Sequence, residues 1–433
     1  MSINRNKEPV IDELYNNNIY TRLTVLYFLA IILFFLVLVT TFIGIIINNS
    51  WQIVILVTSL VSWVMLFALI IVYRREFTNF RFKLLGARSA AQQRQWEKFE
   101  KYISEARKIS GRTDDEILFG NLLHTSAVLL FQETKYAKAD LLFREAIEIY
   151  ECQEVINDNV LATCYANHGT NLSQWDRLEE ADIVLKMGFQ IATNAGPEVR
   201  WLRSICRLNR GLNALKTGKW QAARLLLVQA QEGLLQKENV EVVWCTLKCA
   251  LAMWELRNGD PNLAEKLTHE ALELAEVLNG DSELYRINPL SMMGLICFHK
   301  GKIREAQDYY AEIMDMITKG VVPLAPYTSE FYFWLGRIEL LSGNNFTAER
   351  HFRKGLRIRD DFGTPDCYEM AEHLQAFAEL LRSTGRPVEA QVMEERARKA
   401  FIVPNFSDTT STTDSSEEQH HIKRSRDQEF FKL

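Results

Sequence analysis

One spacing constrains this chain more than any other. Alanine recurs at Ala139, Ala181, Ala223, Ala264, Ala306, Ala348 and Ala390, in steps of 42, 42, 41, 42, 42 and 42 residues. Twelve residues before each stands another small residue: Ala127, Gly169, Gly211, Ala252, Gly294, Gly336 and Ala378. Seven residues after each comes a third, mostly small position: Ala146, Gly188, Ala230, Ala271, Ile313, Gly355 and Ala397. Self-similarity at a fixed period of this size marks a solenoid, in which each unit is one supersecondary element that cannot bury its apolar face alone.

The content of each period is helical. Only 9 of the 433 residues are proline, so little interrupts a helix. In the last five units a glycine precedes the alanine by five: Gly218, Gly259, Gly301, Gly343 and Gly385. Glycine is the residue that ends a helix in a left-handed conformation, which places a tight turn between two antiparallel helices. The small positions let the two helices approach closely. The bulky residue between them, such as Phe143, Tyr310 or Phe352, is expected to fill the space toward the next unit.

These residues resemble the tetratricopeptide repeats. The stretches ETKYAKADLLFREA (133–146), KTGKWQAARLLLVQA (216–230) and HKGKIREAQDYYAEI (299–313) follow that family's order of turn, alanine, aromatic and small residue. The 42-residue step is similar to the longer repeats of kinesin light chains, most visibly in residues 353–390. The resemblance covers about 113–401 and implies a superhelix whose first helices line a concave protein-binding surface. Fold alone does not name the partner.

The N-terminal part reads differently. Between Arg22 and Arg74 no residue is charged, and the stretch divides into apolar runs at 23–47 and 52–73 around Asn48-Asn49-Ser50-Trp51. Each run exceeds the ~20 residues that cross a ~30 Å hydrocarbon core as a helix. A first run this long, followed at once by a second, disfavours a cleavable leader, and runs of these lengths disfavour buried helices of a soluble core. Past the second run come Arg74, Arg75, Arg81, Lys83, Arg88 and Arg94 against the single acid Glu76. The positive-inside rule then puts both termini in the cytosol. The spans carry no ionisable group of the kind that marks transport, so they read as an anchor.

The expected organisation is therefore all-α: a cytosolic segment (1–22), a transmembrane hairpin (23–73), a basic connector with a capping helix (74–112), an α-solenoid of about seven helix-turn-helix repeats (113–401) and a polar tail (402–433). The tail holds eight Ser or Thr within 407–416, too polar a composition to bury a core. A net charge of −5 argues against a nucleic-acid partner. The seven scattered cysteines form no disulfide framework.

No phosphate loop, nucleotide fingerprint, nucleophile elbow or zinc motif is present, so neither an enzyme nor a cofactor is expected. Cys164 with His168, and Cys245 with Cys249, are spaced for one helix face, but two ligands do not make a metal site. A binding groove is the better expectation, with Asn121, His124, Asn167, Thr170, Asn209, Asn288, Arg337, Gln375 and Arg382 as its lining. Asparagine both donates and accepts, which suits the backbone of an extended peptide. Family members that clamp chaperone tails use Lys, Asn and Arg on three successive helices; only the middle Asn has a match here, so that ligand is not expected. The function that follows is a membrane-anchored scaffold binding protein or peptide segments. The alternatives are an assembly factor for membrane complexes whose hairpin touches its client and, more remotely, an enzyme or transporter subunit.

Overall fold

The computed structural model describes residues 78–110, 116–153, 157–195, 200–235, 240–278 and 283–401, together with Val64 and Phe67. Those two residues apart, the two apolar runs lie outside the described residues, as do the N-terminal segment and the polar tail. Among the described residues no helix is long and apolar enough to cross a membrane.

The described chain is an all-α, TPR-like helical-repeat solenoid of sixteen α-helices. They are α1 (78–92), α2 (Trp96–Ser110), α3 (Glu116–Gln132), α4 (Tyr136–Glu151), α5 (Asp158–Gln174), α6 (Leu178–Asn194), α7 (Arg200–Lys216) and α8 (Trp220–Leu234), followed by α9 (Glu241–Arg257), α10 (Pro261–Val277), α11 (Ile287–His299), α12 (Ile303–Thr318), α13 (Thr328–Leu341), α14 (Asn345–Phe362), α15 (Tyr368–Ser383) and α16 (Pro387–Phe401). Each odd-numbered helix pairs with the next, and the pairs stack in chain order.

The repeat begins earlier than its spacing suggests. Residues 78–110, read as connector and cap, form a helix pair of their own with the same register. Ala87, Phe99, Ile103 and Ala106 occupy the places of Ala127, Ala139, Phe143 and Ala146, and all four are buried. Eight turns follow one design. The left-handed residues are Arg94, Thr134 and Asp176, then Gly218, Gly259, Gly301, Gly343 and Gly385. At the third full repeat Gly218 N–H donates to Leu215 O (3.1 Å) and Lys219 N–H to Ala214 O (2.8 Å), the paired bonds that close a helix end through a left-handed residue.

The seven recurring alanines have no exposed surface. Their bulky partners reach toward the next unit, as the sequence suggests: Phe143 stacks on His168 at 5.7 Å and Phe352 on Phe377 at 5.1 Å. In the four units whose first helix carries glycine, the residue four after the alanine also lies over that glycine of its own unit. A Cβ built on Gly294 would stand 2.7 Å from the Tyr310 ring, one on Gly336 3.0 Å from Phe352, and one on Gly169 2.4 Å from Leu185. Glycine there removes the atom that would hold the two helices apart.

The stack also meets itself. Thr134 Oγ1 donates to Leu324 O (3.3 Å), and Trp175 Nε1 donates to Phe362 O (3.0 Å). The Tyr136 ring packs on Phe362 at 6.2 Å, and Trp220 on Tyr368 at 6.4 Å. The turns of the first three full repeats thus touch the loops before α13 and α15, and α15 lies against α7. The superhelix comes round far enough for its last third to rest on its first half.

Candidate functional site

The inner wall is built by one face of each first helix. In α5 that face carries Thr163, Asn167, Thr170 and Gln174; in α13 it carries Glu330, Trp334 and Arg337. Most of these side chains are half-buried, because the wall curves on itself and the last units approach the first.

Five of the expected groove residues form a ladder between neighbouring helices. Tyr150 Oη donates to Asn121 Oδ1 (2.8 Å), Asn167 Nδ2 to His124 Nε2 (3.0 Å) and Asn209 Nδ2 to Thr170 Oγ1 (2.9 Å). Burial holds His124 at about 4, so its imidazole is neutral and can accept from Asn167. Asn209 is buried. These amides hold successive units in register. Asn288 is exposed on the inner face of α11. Arg337 is half-buried and stacks on Trp334 (4.8 Å) and Phe298 (5.2 Å).

Gln375 and Arg382 lie elsewhere, on the outer face of the last unit. Their equivalents one repeat earlier, Phe333 and Leu340, pack against the following unit; after α15 and α16 the described chain has no further unit to cover them. Arg382 accordingly pairs with Glu394 of its own unit (2.6 Å). Of the two metal-spaced pairs, His168 Nε2 is bonded to Asp140 (2.6 Å) and both Cys245 and Cys249 are buried. Among the described residues no group of three His, Cys, Asp or Glu could hold a metal.

The most concentrated chemistry lies where the superhelix closes. Asp176 is nearly fully buried in its turn, and its carboxylate takes Lys216 Nζ at 2.7 Å and Arg359 Nη1 at 2.9 Å. Arg359, also buried, donates a further bond to Pro365 O. Around them Tyr327, Glu330, Cys367, Glu369 and Met370 line a narrow, partly open crevice. Burial opposes ionisation of Asp176, but Lys216 and Arg359 overcome it and hold the carboxyl below its usual range. Burial likewise opposes charge on Lys216, and Asp176, with Glu330 and Glu369, outweighs it and raises that amine above the ordinary lysine range. Glu330 goes the other way: burial, then the charge and hydrogen bond of Glu369, raise it well above a normal glutamate. Burial and Asp176 push the Cys367 thiol up to about 12, so it is not a nucleophile. This clasp has no repeat signature. Its one local signal is an aspartate, Asp176, at a left-handed position (φ 59°) that five later units give to glycine.

The two carboxyls set a pH window for closure. Asp176 has a depressed folded value, so its contribution is present above its unfolded value and is lost as pH falls through the folded one. Glu330 has a raised folded value, so its contribution is complete below its unfolded value and is lost as pH rises through the folded one. Hydrogen exchange at the amides of 366–370, corrected for intrinsic rates, is expected to show greatest protection between those limits. Glu330→Gln should abolish the alkaline loss and leave the acid loss in place; an unchanged alkaline limb would show that Glu330 does not couple to closure.

A tetratricopeptide repeat family profile matches residues 245–319, which span α9 to α12. No curated protein matches the chain. Among solved structures, the aspartyl phosphate phosphatase F of Bacillus subtilis is 14% identical with a TM-score of 0.51, over 68% of this chain and 75% of that one. The quorum sensor NprR of B. thuringiensis, in its apo form, is 13% identical with a TM-score of 0.52, over 75% and 88%. The Rap conjugation gene regulator of plasmid pLS20, in complex with the Phr* peptide, is 12% identical with a TM-score of 0.51, over 82% and 99%. At these identities the likeness is one of fold: a TPR-like helical-repeat solenoid.

Proposed function

We propose that this protein is a membrane-anchored TPR scaffold that holds a protein partner, as an extended segment, on the inner wall of its superhelix. The carrying observation is that wall: a repeated face of polar and aromatic side chains, running through successive first helices from α3 to α13 and narrowed by contacts between distant units. The peptide in the similar pLS20 regulator structure supports a peptide-sized occupant. The anchor rests on sequence. Residues 23–73 carry no charge, and the basic excess after them orients both termini, and the array, toward the cytosol. The 42-residue step makes the longer, kinesin-light-chain type the nearest form of the repeat.

The experiment is photo-crosslinking on native membranes. A benzophenone amino acid replaces Asn288, exposed on the inner face, or Leu141, exposed on the outer face of α4. Adducts with a defined partner are expected from position 288 and not from 141, in membranes that retain the protein through an alkaline carbonate wash. Adducts from 141 alone would move the binding surface to the outside. Release by the wash would remove the anchor.

A further inference from the structure

Two arginines on the inner wall converge on one carboxylate. Arg257 Nη2, at the end of α9, lies 2.8 Å from Glu372 Oε1, and Arg337 Nη1, in α13, lies 3.4 Å from Glu372 Oε2. Glu372 comes from α15, so the pair with Arg257 crosses the superhelix. Both guanidiniums rest on aromatic faces: Arg257 on Trp220 at 5.3 Å, and Arg337 on Trp334 and Phe298. Stacked, half-buried arginines keep their forks oriented and lose less freedom on binding an anion than free ones do.

The charge of this cluster does not close. Besides Glu372 and the two arginines, the titratable groups around it are His299, His373 and Tyr310, with Arg359 behind His373 and with Glu330 and Glu369 of the clasp on the far side of Tyr310. Burial, then Arg257 and Arg337, lower His299; burial, then Arg337, Arg257 and Arg359, lower His373, so both rings are neutral. Burial likewise lowers Arg337 despite Glu372. Glu330 and Glu369 face Lys216, so the two guanidiniums contact one carboxylate between them, at a place where Arg257 and Glu372 each keep about a third of their side chain exposed.

We propose that Arg257 and Arg337 form an anion anchor whose occupant is the chain's own acidic segment, 408–418. This segment holds Asp408, Asp414, Glu417 and Glu418 and no lysine, arginine or histidine. It starts close by. Arg396, near the end of α16, pairs with Asp366, just before α15, at 2.8 Å, so the chain leaves α16 beside the start of α15, and Glu372 lies one turn inside that helix. A helix is ~10–12 Å across. The seven residues from Phe401 to Asp408 reach at most ~25 Å. Tethering gives such a segment an effective concentration on the order of millimolar, enough for a modest site to be filled. A tail carboxylate takes the exposed side of Arg257 and supplies the missing negative charge. The inference deepens the reading of the inner wall as a binding surface: the tail is the occupant a partner has to displace.

The test uses the full chain in detergent micelles, with a benzophenone amino acid at Ser411. Irradiation is expected to join residue 411 to α9, α13 or α15 within one chain. Both Asp408→Asn/Asp414→Asn/Glu417→Gln/Glu418→Gln and Arg257→Gln/Arg337→Gln should lose these products, with helicity by circular dichroism retained. The tail variant leaves the array untouched and decides the matter if the arginine variant loses its fold. Products elsewhere on the chain, products only between chains, or products indifferent to tail charge overturn the proposal. Intermolecular adducts from position 288 test the partner reading separately, so either idea can fail alone.

Discussion

Replacing Arg359 by leucine is expected to destabilise the closed superhelix by about 3–5 kcal/mol, the usual cost of stranding one partner of a buried ion pair. Arg359 and Asp176 each keep only 3% of their side chain exposed, so solvent screens neither. The substitution leaves the Asp176 carboxylate buried with Lys216 as its remaining cation. In a solenoid each unit contacts mainly its neighbours, so the loss should appear first as release of α13–α16 from the early turns. Small-angle scattering should show a larger radius, and exchange should quicken at 362–370 before the rest of the array melts. Asp176→Gly relieves a left-handed aspartate and is still expected to open the contact, because Arg359 then loses its carboxylate. Removing both partners together should cost less than the sum of the two single changes. An unchanged radius and an unmoved transition in Arg359→Leu would show that the closure does not depend on this pair.

How much of this was legible follows from what a repeat encodes. The seven alanines at a fixed step have no exposed surface, and the glycine turns close as expected, because each depends on neighbours within one period. The pair at 78–110 carries little of the repeat's signature: Phe99 stands in the alanine's place, Arg94 in the glycine's, and its step is 40 residues rather than 42. Only Ala87 and Ala106 kept the pattern. Thr134 and Asp176 likewise take a left-handed turn without glycine, so the first full repeats lacked the punctuation of the later ones.

The site was less legible than the fold. Polar residues at equivalent places on first helices do come together, as Asn167 with His124 and Asn209 with Thr170 show. Spacing alone could not tell that they spend their hydrogen bonds on each other. Nor could it tell that Gln375 and Arg382 belong to the end face of the last described unit. The clasp and the Arg257–Glu372 contact join residues 183 and 115 apart in sequence. Such pairings depend on the small rotation at each unit, summed over the array, and no local pattern carries that sum. Even so, Asp176 in a glycine position was a local oddity that pointed to a purpose for its side chain.

The packing rule that makes the repeat predicts the other large effect. Phe352 is fully buried, stacks on Phe377 at 5.1 Å and covers Gly336 of its own unit. Phe352→Ala should cost about 3–5 kcal/mol, as truncation of a buried aromatic does when its surroundings cannot collapse. The rigid backbones of α13 and α14, held by the turn at Gly343, prevent such collapse. Gly336→Ala acts in the opposite sense: its new methyl lies 3.0 Å from the Phe352 ring, and overpacking of this kind typically costs ~1–3 kcal/mol. The two changes share one volume. The methyl of Gly336→Ala fits the space that Phe352→Ala leaves, so the double variant should be more stable than the sum of the singles allows, by about 0.5–3 kcal/mol of coupling. Denaturant unfolding of the full chain in detergent, followed through the C-terminal units by exchange at α13–α16, measures all three variants. Strict additivity would mean that Gly336 is small for some reason other than the ring above it, and the register of small and bulky residues would then not be what draws the two helices of each unit together.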